Sequence, residues 1–118
     1  MAITVTTTEL APAGWGVTGA SVDGSACEEL KAAPGAGVSY YVLGFEVVTT
    51  LADVGITIGA GEKTDNVETV TCGPIYAVRN VPVSHRFMRP IKLPANKSLT
   101  VDADGAGIFI LTVEGYTQ

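Results

Sequence analysis

The only histidine of this 118-residue chain, His85, stands in Pro82-Val83-Ser84-His85-Arg86. An imidazole can act as a general base, and Ser84 beside it invites a Ser–His reading. Adjacency alone does not make such a pair, and no Gly-x-Ser-x-Gly or Cys–His pattern accompanies it. His85 reads as a loop residue. Asp102-Ala103-Asp104-Gly105 starts like a calcium loop, but the further oxygen ligands and the later Glu are missing. These aspartates read as strand-end acids beside a tight turn. Gly35-Ala36-Gly37 and Gly59-Ala60-Gly61 lack the strand–loop–helix setting and the Gly-Lys-Ser/Thr ending of a phosphate loop, so both read as turns. Cys27 and Cys72 show no zinc spacing. They can form one disulfide, but nothing marks the chain as secreted, and two reduced, mostly buried thiols are the expected state. Trp15, the only tryptophan, can stack on a sugar ring with Tyr40, Tyr76 or Tyr116 as helpers. A lone large aromatic more often anchors its loop to its own core or to a neighbouring subunit, and that is the preferred reading. No catalytic residue, cofactor or metal site is expected.

The elements that must carry these residues are strands. The sole helix candidate, Ala26–Ala33, is short and is stopped by Pro34-Gly35. Elsewhere Val, Ile, Thr and Tyr alternate with Gly, Pro, Asn and Asp at short intervals, the pattern of many short strands joined by turns. Strands are expected over 3–7, 26–31, 39–50, 54–58, 68–78 (bent or broken at Gly73-Pro74), 87–93 (with Pro90 placing it at an edge or bulge), 99–103 and 108–116. Residues 11–16 read as a loop. Asp104-Gly105 is the strongest tight-turn signal. Seven to eight strands without intervening helices specify an all-β antiparallel sandwich of jelly-roll type over residues 26–118. An N-terminal arm and loop segment, 1–25, precedes it.

Two of these strands are apolar on both faces. In 39–50, Tyr41, Leu43, Phe45 and Val47 should share one face, and Tyr40, Val42, Gly44, Glu46 and Val48 the other. In 108–116, Phe109, Leu111 and Val113 should oppose Ile108, Ile110, Thr112, Glu114 and Tyr116. Tyr41, Phe45 and Phe109 are the expected core. The second apolar face needs a cover, either loops of the same chain or another subunit. Val42, Val48, Ile108, Ile110 and Tyr116 are the expected subunit interface, because the two strands should be sheet neighbours.

Composition fits an assembling protein better than a nucleic-acid binder. One domain accounts for the length. Charged residues are only 16% against 47% apolar, and net charge is −5, which opposes nonspecific DNA or RNA binding. No run is long and apolar enough for a membrane span. Charge is also uneven. Residues 79–97 carry Arg79, Arg86, Arg89, Lys92 and Lys97 and no acid, whereas residues 1–78 carry nine acids against Lys31 and Lys63. The basic block either pairs with the acidic remainder or docks on an acidic protein surface.

Three segments carry a resemblance: Leu30-Lys31-Ala32-Ala33-Pro34-Gly35-Ala36-Gly37-Val38-Ser39-Tyr40-Tyr41-Val42 entering the long strand, Gly73-Pro74-Ile75-Tyr76 at mid-chain, and Pro90–Val101 followed by the closing Val113-Glu114-Gly115-Tyr116. Together they cover roughly residues 26–117. In texture and order the chain resembles the capsid decoration (cement) proteins of tailed bacteriophages, which have a jelly-roll domain; similar segments occur in phage fibre and tail-associated β-domains. The resemblance implies a non-enzymatic structural virion protein, a homotrimer on the outer capsid surface that bridges major capsid protein subunits, with no cofactor and no direct nucleic-acid or membrane contact. On that reading Ala2–Leu10 is an arm that orders on the capsid, and Trp15, Arg79, Arg86 and Arg89 touch the partner. The alternative is a carbohydrate- or receptor-binding β-domain of a phage fibre or secreted protein.

Overall fold

The computed structural model describes residues 4–10, 14–21, 27–50, 53–63, 66–103 and 109–118. Nine strands fill them: β1 (Thr4–Leu10), β2 (Gly14–Ser21), β3 (Glu28–Lys31), β4 (Tyr40–Thr49), β5 (Val54–Lys63), β6 (Asn66–Ala77), β7 (Val83–Lys92), β8 (Leu99–Ala103) and β9 (Phe109–Thr117). They pair antiparallel in two sheets, β1-β2-β9-β4-β7 and β3-β8-β5-β6. From β2 onward the chain crosses between sheets at every connection except the β5–β6 hairpin. That winding gives an antiparallel β-sandwich of jelly-roll type.

The ninth strand is β2, which the sequence presents as part of a loop. Gly14, Gly16 and Gly19 dilute its β-propensity, yet Trp15 and Val17 point inward and are buried. Residues 4–10 and 14–21 are therefore strands of the five-stranded sheet, and β2 lies against β9. An arm-and-loop segment ending at residue 25 does not describe them.

The core lies between the sheets. From β9 it takes Phe109, Leu111 and Val113, from β8 Leu99 and Val101, and from β5 Ile56 and Ile58, all at most 1% exposed. The expected parity of β4 fails at one point. Its register against β9 shifts between Val42 and Gly44, so Leu43 is an extra residue, and a bulge of this kind reverses which side chains face inward. Tyr40 and Val42 are buried before it, and Phe45, Val47 and Thr49 after it. Tyr41, expected in the core, is instead half-buried on the outer face. Val42, expected at an interface, is a core residue.

Gly59-Ala60-Gly61 is not a turn but the middle of β5. Strand β6 passes so close that a Cβ on Gly59 would come within 2.7 Å of the Val67 side chain. Near Gly73-Pro74, β6 bends without ending, its register against β5 slipping between Ile56 and Ile58. No helix among the described residues is long and apolar enough to cross a membrane.

Candidate functional site

Strand β7 is the last strand of its sheet and β6 the last of the other, and together they form one rim of the sandwich. Against β4, β7 runs in register from Val83 to Arg86, then resumes at Ile91 opposite Val42. Residues 87–90 thus form an excursion facing only Leu43. Pro90, which has no N–H to donate, is suited to such a bulged edge. Met88 sits on this excursion at 102% relative exposure. Val70 and Tyr76 on β6, and Val78 and Val81 in the connection to β7, are also exposed. Asp53 fixes that connection by accepting the Arg79 N–H at 2.9 Å, and the Thr49 carbonyl accepts the Asn80 N–H at 2.7 Å. Beside it lies a recess of about 250 Å³, lined by Asp53, Val54, Gly55, Tyr76, Ala77 and Val78.

A second feature lies on the outer face of the five-stranded sheet. Gly44 forms the floor of a depression of about 240 Å³ walled by Glu46, Ser84, Arg86, Thr112 and Glu114. The floor exists because a Cβ at residue 44 would come within 2.6 Å of the His85 carbonyl oxygen. Arg86 crosses it to Glu114 at 3.3 Å, with both side chains largely in solvent. Two residues further along β9, the Tyr116 ring stacks on Tyr41, centroids 4.9 Å apart and planes 3° from parallel. Among the described residues, the exposed large aliphatic side chain of this face is Ile110, opposite Val48.

Of the residues expected at a partner contact, Arg86 lies on β7 and pairs with Glu114, Arg89 lies on the β7 excursion and Arg79 follows β6; all three are exposed. Trp15 does not join them. It is 3% exposed, its Nε1 donates to Thr117 Oγ1 at 3.0 Å, and Tyr40 meets it edge-on. Lys31 Nζ stands 5.5 Å from the Trp15 ring centroid, a cation–π arrangement that closes the ring off further. Trp15 is thus an anchor to its own core, and neither it nor buried Tyr40 offers a sugar platform. Of the expected interface residues, Val48, Ile110 and Tyr116 do lie on the outer face; Ile108 is outside the described residues.

Ser84 lies opposite Glu46 and His85 opposite Phe45, so strand alternation points them to opposite faces and no Ser–His pair forms. His85 packs its ring edge-on to Phe87, centroids 5.0 Å apart. Among the described residues no group of three or more His, Cys, Asp or Glu could hold a metal ion; Asp104 lies outside them. Both cysteines are free. Burial, reinforced by Glu62 and Asp102 and partly offset by hydrogen bonding with the Thr100 side chain, pushes the Cys27 thiol up to about 11. Burial also raises Cys72. Neither thiol is a ready nucleophile.

The sequence pointed to the rim through its arginines but missed its exposed apolar residues. A Phe-Met pair inside a strand ordinarily signals burial, and only Pro90 hinted at an edge.

No protein-family model matches the chain, and no curated protein does. Among solved structures it is similar to the C-terminal CBM6 of LamC, a marine laminarinase from Zobellia galactanivorans, with a TM-score of 0.50 and 12% identity over 95% of this chain and 87% of that one. It is also similar to the CBM22-1–GH10 modules of xylanase 10B from Clostridium thermocellum complexed with xylohexaose, with a TM-score of 0.46 and 15% identity over 97% of this chain and 24% of that one. A third likeness is to a CBM6 carbohydrate-binding module from Cellvibrio mixtus lichenase 5A in complex with cellotriose, with a TM-score of 0.43 and 12% identity over 98% and 88% of the two chains. At these identities the likeness is one of fold, and the chain is a jelly-roll β-sandwich.

Proposed function

We propose that this chain is a non-enzymatic structural protein that works by assembling on a surface: a jelly-roll decoration protein that stabilises a phage capsid as a homotrimer. The observation that carries this reading is the β6–β7 rim. Five of the seven large hydrophobic side chains that are exposed among the described residues fall between residues 70 and 88. Soluble monomers rarely gather exposed apolar groups this way, and such patches mark protein contacts. Two sheet edges flank the patch, and uncovered edges of this length tend to pair with other chains. The exposed cations Arg79 and Arg89 suit a rim that meets an acidic neighbour. Light scattering at low micromolar concentration tests the first half of the reading, with a mass about three times 12.1 kDa expected. Pelleting with expanded capsids of its own virion tests the second. Protein that stays in the supernatant at saturating concentration overturns the decoration role.

A second reading is favoured by a different observation, the Tyr41–Tyr116 stack beside the polar depression. Stacked aromatic rings next to carboxylates, a guanidinium and hydroxyls are the groups that hold a carbohydrate, as an apolar sugar face and its hydroxyls require both. Binding on a glycan array that Tyr116→Ala abolishes would establish it; an array without signal removes it.

A further inference from the structure

We propose that the two halves of the β6–β7 rim fit each other between copies of this chain, with Met88 of one copy seated in the recess beside Tyr76 of the next. This rests on the self-assembly reading above and names its surface.

Met88 is as exposed as in an extended chain, on an excursion that β7 makes at the cost of four ladder positions. No described residue of its own copy covers it. An unbranched thioether adapts to an irregular recess and makes favourable contacts with aromatic rings. The recess of about 250 Å³ offers such a wall in Tyr76, which is 73% exposed. Charge runs the same way. Arg89 adjoins Met88, and the exposed Asp53 stands at the recess. More broadly, the segment 53–78 carries Asp53, Glu62, Asp65 and Glu68 against one Lys63, and 79–97 carries only cations; Lys97 and Glu68 already pair within one copy at 3.1 Å, so Arg89 and Asp53 are the charges the contact uses. Methionine and arginine are enriched in interface cores, and a fully desolvated anchor in a pocket is the usual centre of a contact.

The complementary halves belong to different sheets, β7 to one and β6 to the other, yet lie on the same rim. Contact between two different patches is head-to-tail. Such a contact makes a ring where the rotation closes, and a three-fold rotation is the one the trimer reading requires. The outer sheet face with Val48 and Ile110, the interface expected from sequence, stays outside this contact.

Light scattering on the full chain and its variants tests the proposal. Wild type is expected at about three times the chain mass. Met88→Asp should fall to a single chain mass with an unchanged circular dichroism spectrum, since no described residue of its own copy covers the side chain. Ile110→Asp should keep the wild-type mass. Arg89→Glu and Asp53→Lys should each raise the dissociation concentration at least tenfold, and the two together should restore most of it. An oligomeric wild type whose Met88→Asp variant keeps its mass overturns this surface and leaves self-assembly standing. A wild type that is monomeric throughout overturns both.

Discussion

Strands β9 and β7 flank β4 on either side, and the chain uses them in opposite ways. In β9 alternate residues are buried: Phe109, Leu111 and Val113 face the second sheet, and their neighbours face out. In β7 only Val83, Phe87 and Ile91 are even half-buried, one residue in four. β9 has the stronger β-forming composition, with Phe109, Ile110, Thr112, Val113, Tyr116 and Thr117 against Val83, Phe87 and Ile91 in β7, but propensity alone does not set burial. Coverage does. β9 lies between β2 and β4 with its inward side chains in the core, whereas β7 has a neighbour on one side only and spends four residues on an excursion. The fold is held by the first kind of strand, and the second kind is left for contacts beyond it.

Truncation is the most forceful way to break this comparison. Phe109→Ala removes a wholly buried ring at the start of the central strand β9 and should cost about 3–5 kcal/mol, a large share of the stability of a domain this size. Met88→Ala, measured below the concentration at which copies associate, should stay within about 0.5 kcal/mol, as surface changes do. Urea titrations monitored by Trp15 fluorescence report both. A Met88→Ala loss approaching that of Phe109→Ala would mean that the rim holds the fold after all.

The two thiols sharpen the same contrast by chemistry. Cys27 is buried beside Glu62 and Asp102 and holds its proton up to about pH 11; Cys72, on edge strand β6, is raised by burial alone. Iodoacetamide at pH 8.5 should therefore modify Cys72 first and Cys27 only slowly, with mass spectrometry giving the order. The linkage has a definite sign. The Cys27 thiol ionises near 9.0 when unfolded and near 11 when folded. Its contribution to stability is fully present below pH 9 and is lost as pH rises through 11. Cys27→Ala should flatten the stability profile between those limits. A profile as steep in the variant as in wild type would assign the slope to other groups, among them Tyr40, which burial also raises.

What the sequence disclosed and what it hid follow from the same physics. Strict alternation made β8 and β9 legible, along with the inward face of Phe109, Leu111 and Val113. It also made β4 recognisable as a strand, but not its facing, because one inserted residue at Leu43 exchanged Tyr41 and Val42 between core and surface. β2 was hidden by its glycines, which carry no period of their own and are tolerated because Trp15 and Val17 supply the burial. The rim was half legible. Pro90 and the acid-free run from Arg79 to Lys97 pointed to an edge that meets partners, but the exposure of Met88 depends on an excursion whose length only the pairing with β4 reveals. The depression around Gly44 was illegible for a similar reason: its walls come from three strands, joined by register rather than by sequence.

Thr49 joins the two regions and gives the finest test. It ends β4, wholly buried, and its backbone bridges to Arg79 and receives the Asn80 N–H, tying the rim connection to the core. Its Oγ1 has no hydrogen-bond partner among the described residues. A hydroxyl left in that state costs roughly 1–3 kcal/mol, and an apolar group of the same shape avoids the cost. Valine has that shape and a higher strand preference, and the backbone bonds to the rim do not involve the side chain. Thr49→Val should therefore raise stability by about 1 kcal/mol, a melting-temperature gain of about 3–6 °C for a domain of this length. The rim contacts should be untouched, so the solution mass should match wild type. A loss of stability would mean that the hydroxyl is bonded in solution, by water entering between rim and core. The seam between the two regions would then be wet, and β6–β7 would open more readily than the dry packing beneath Phe109.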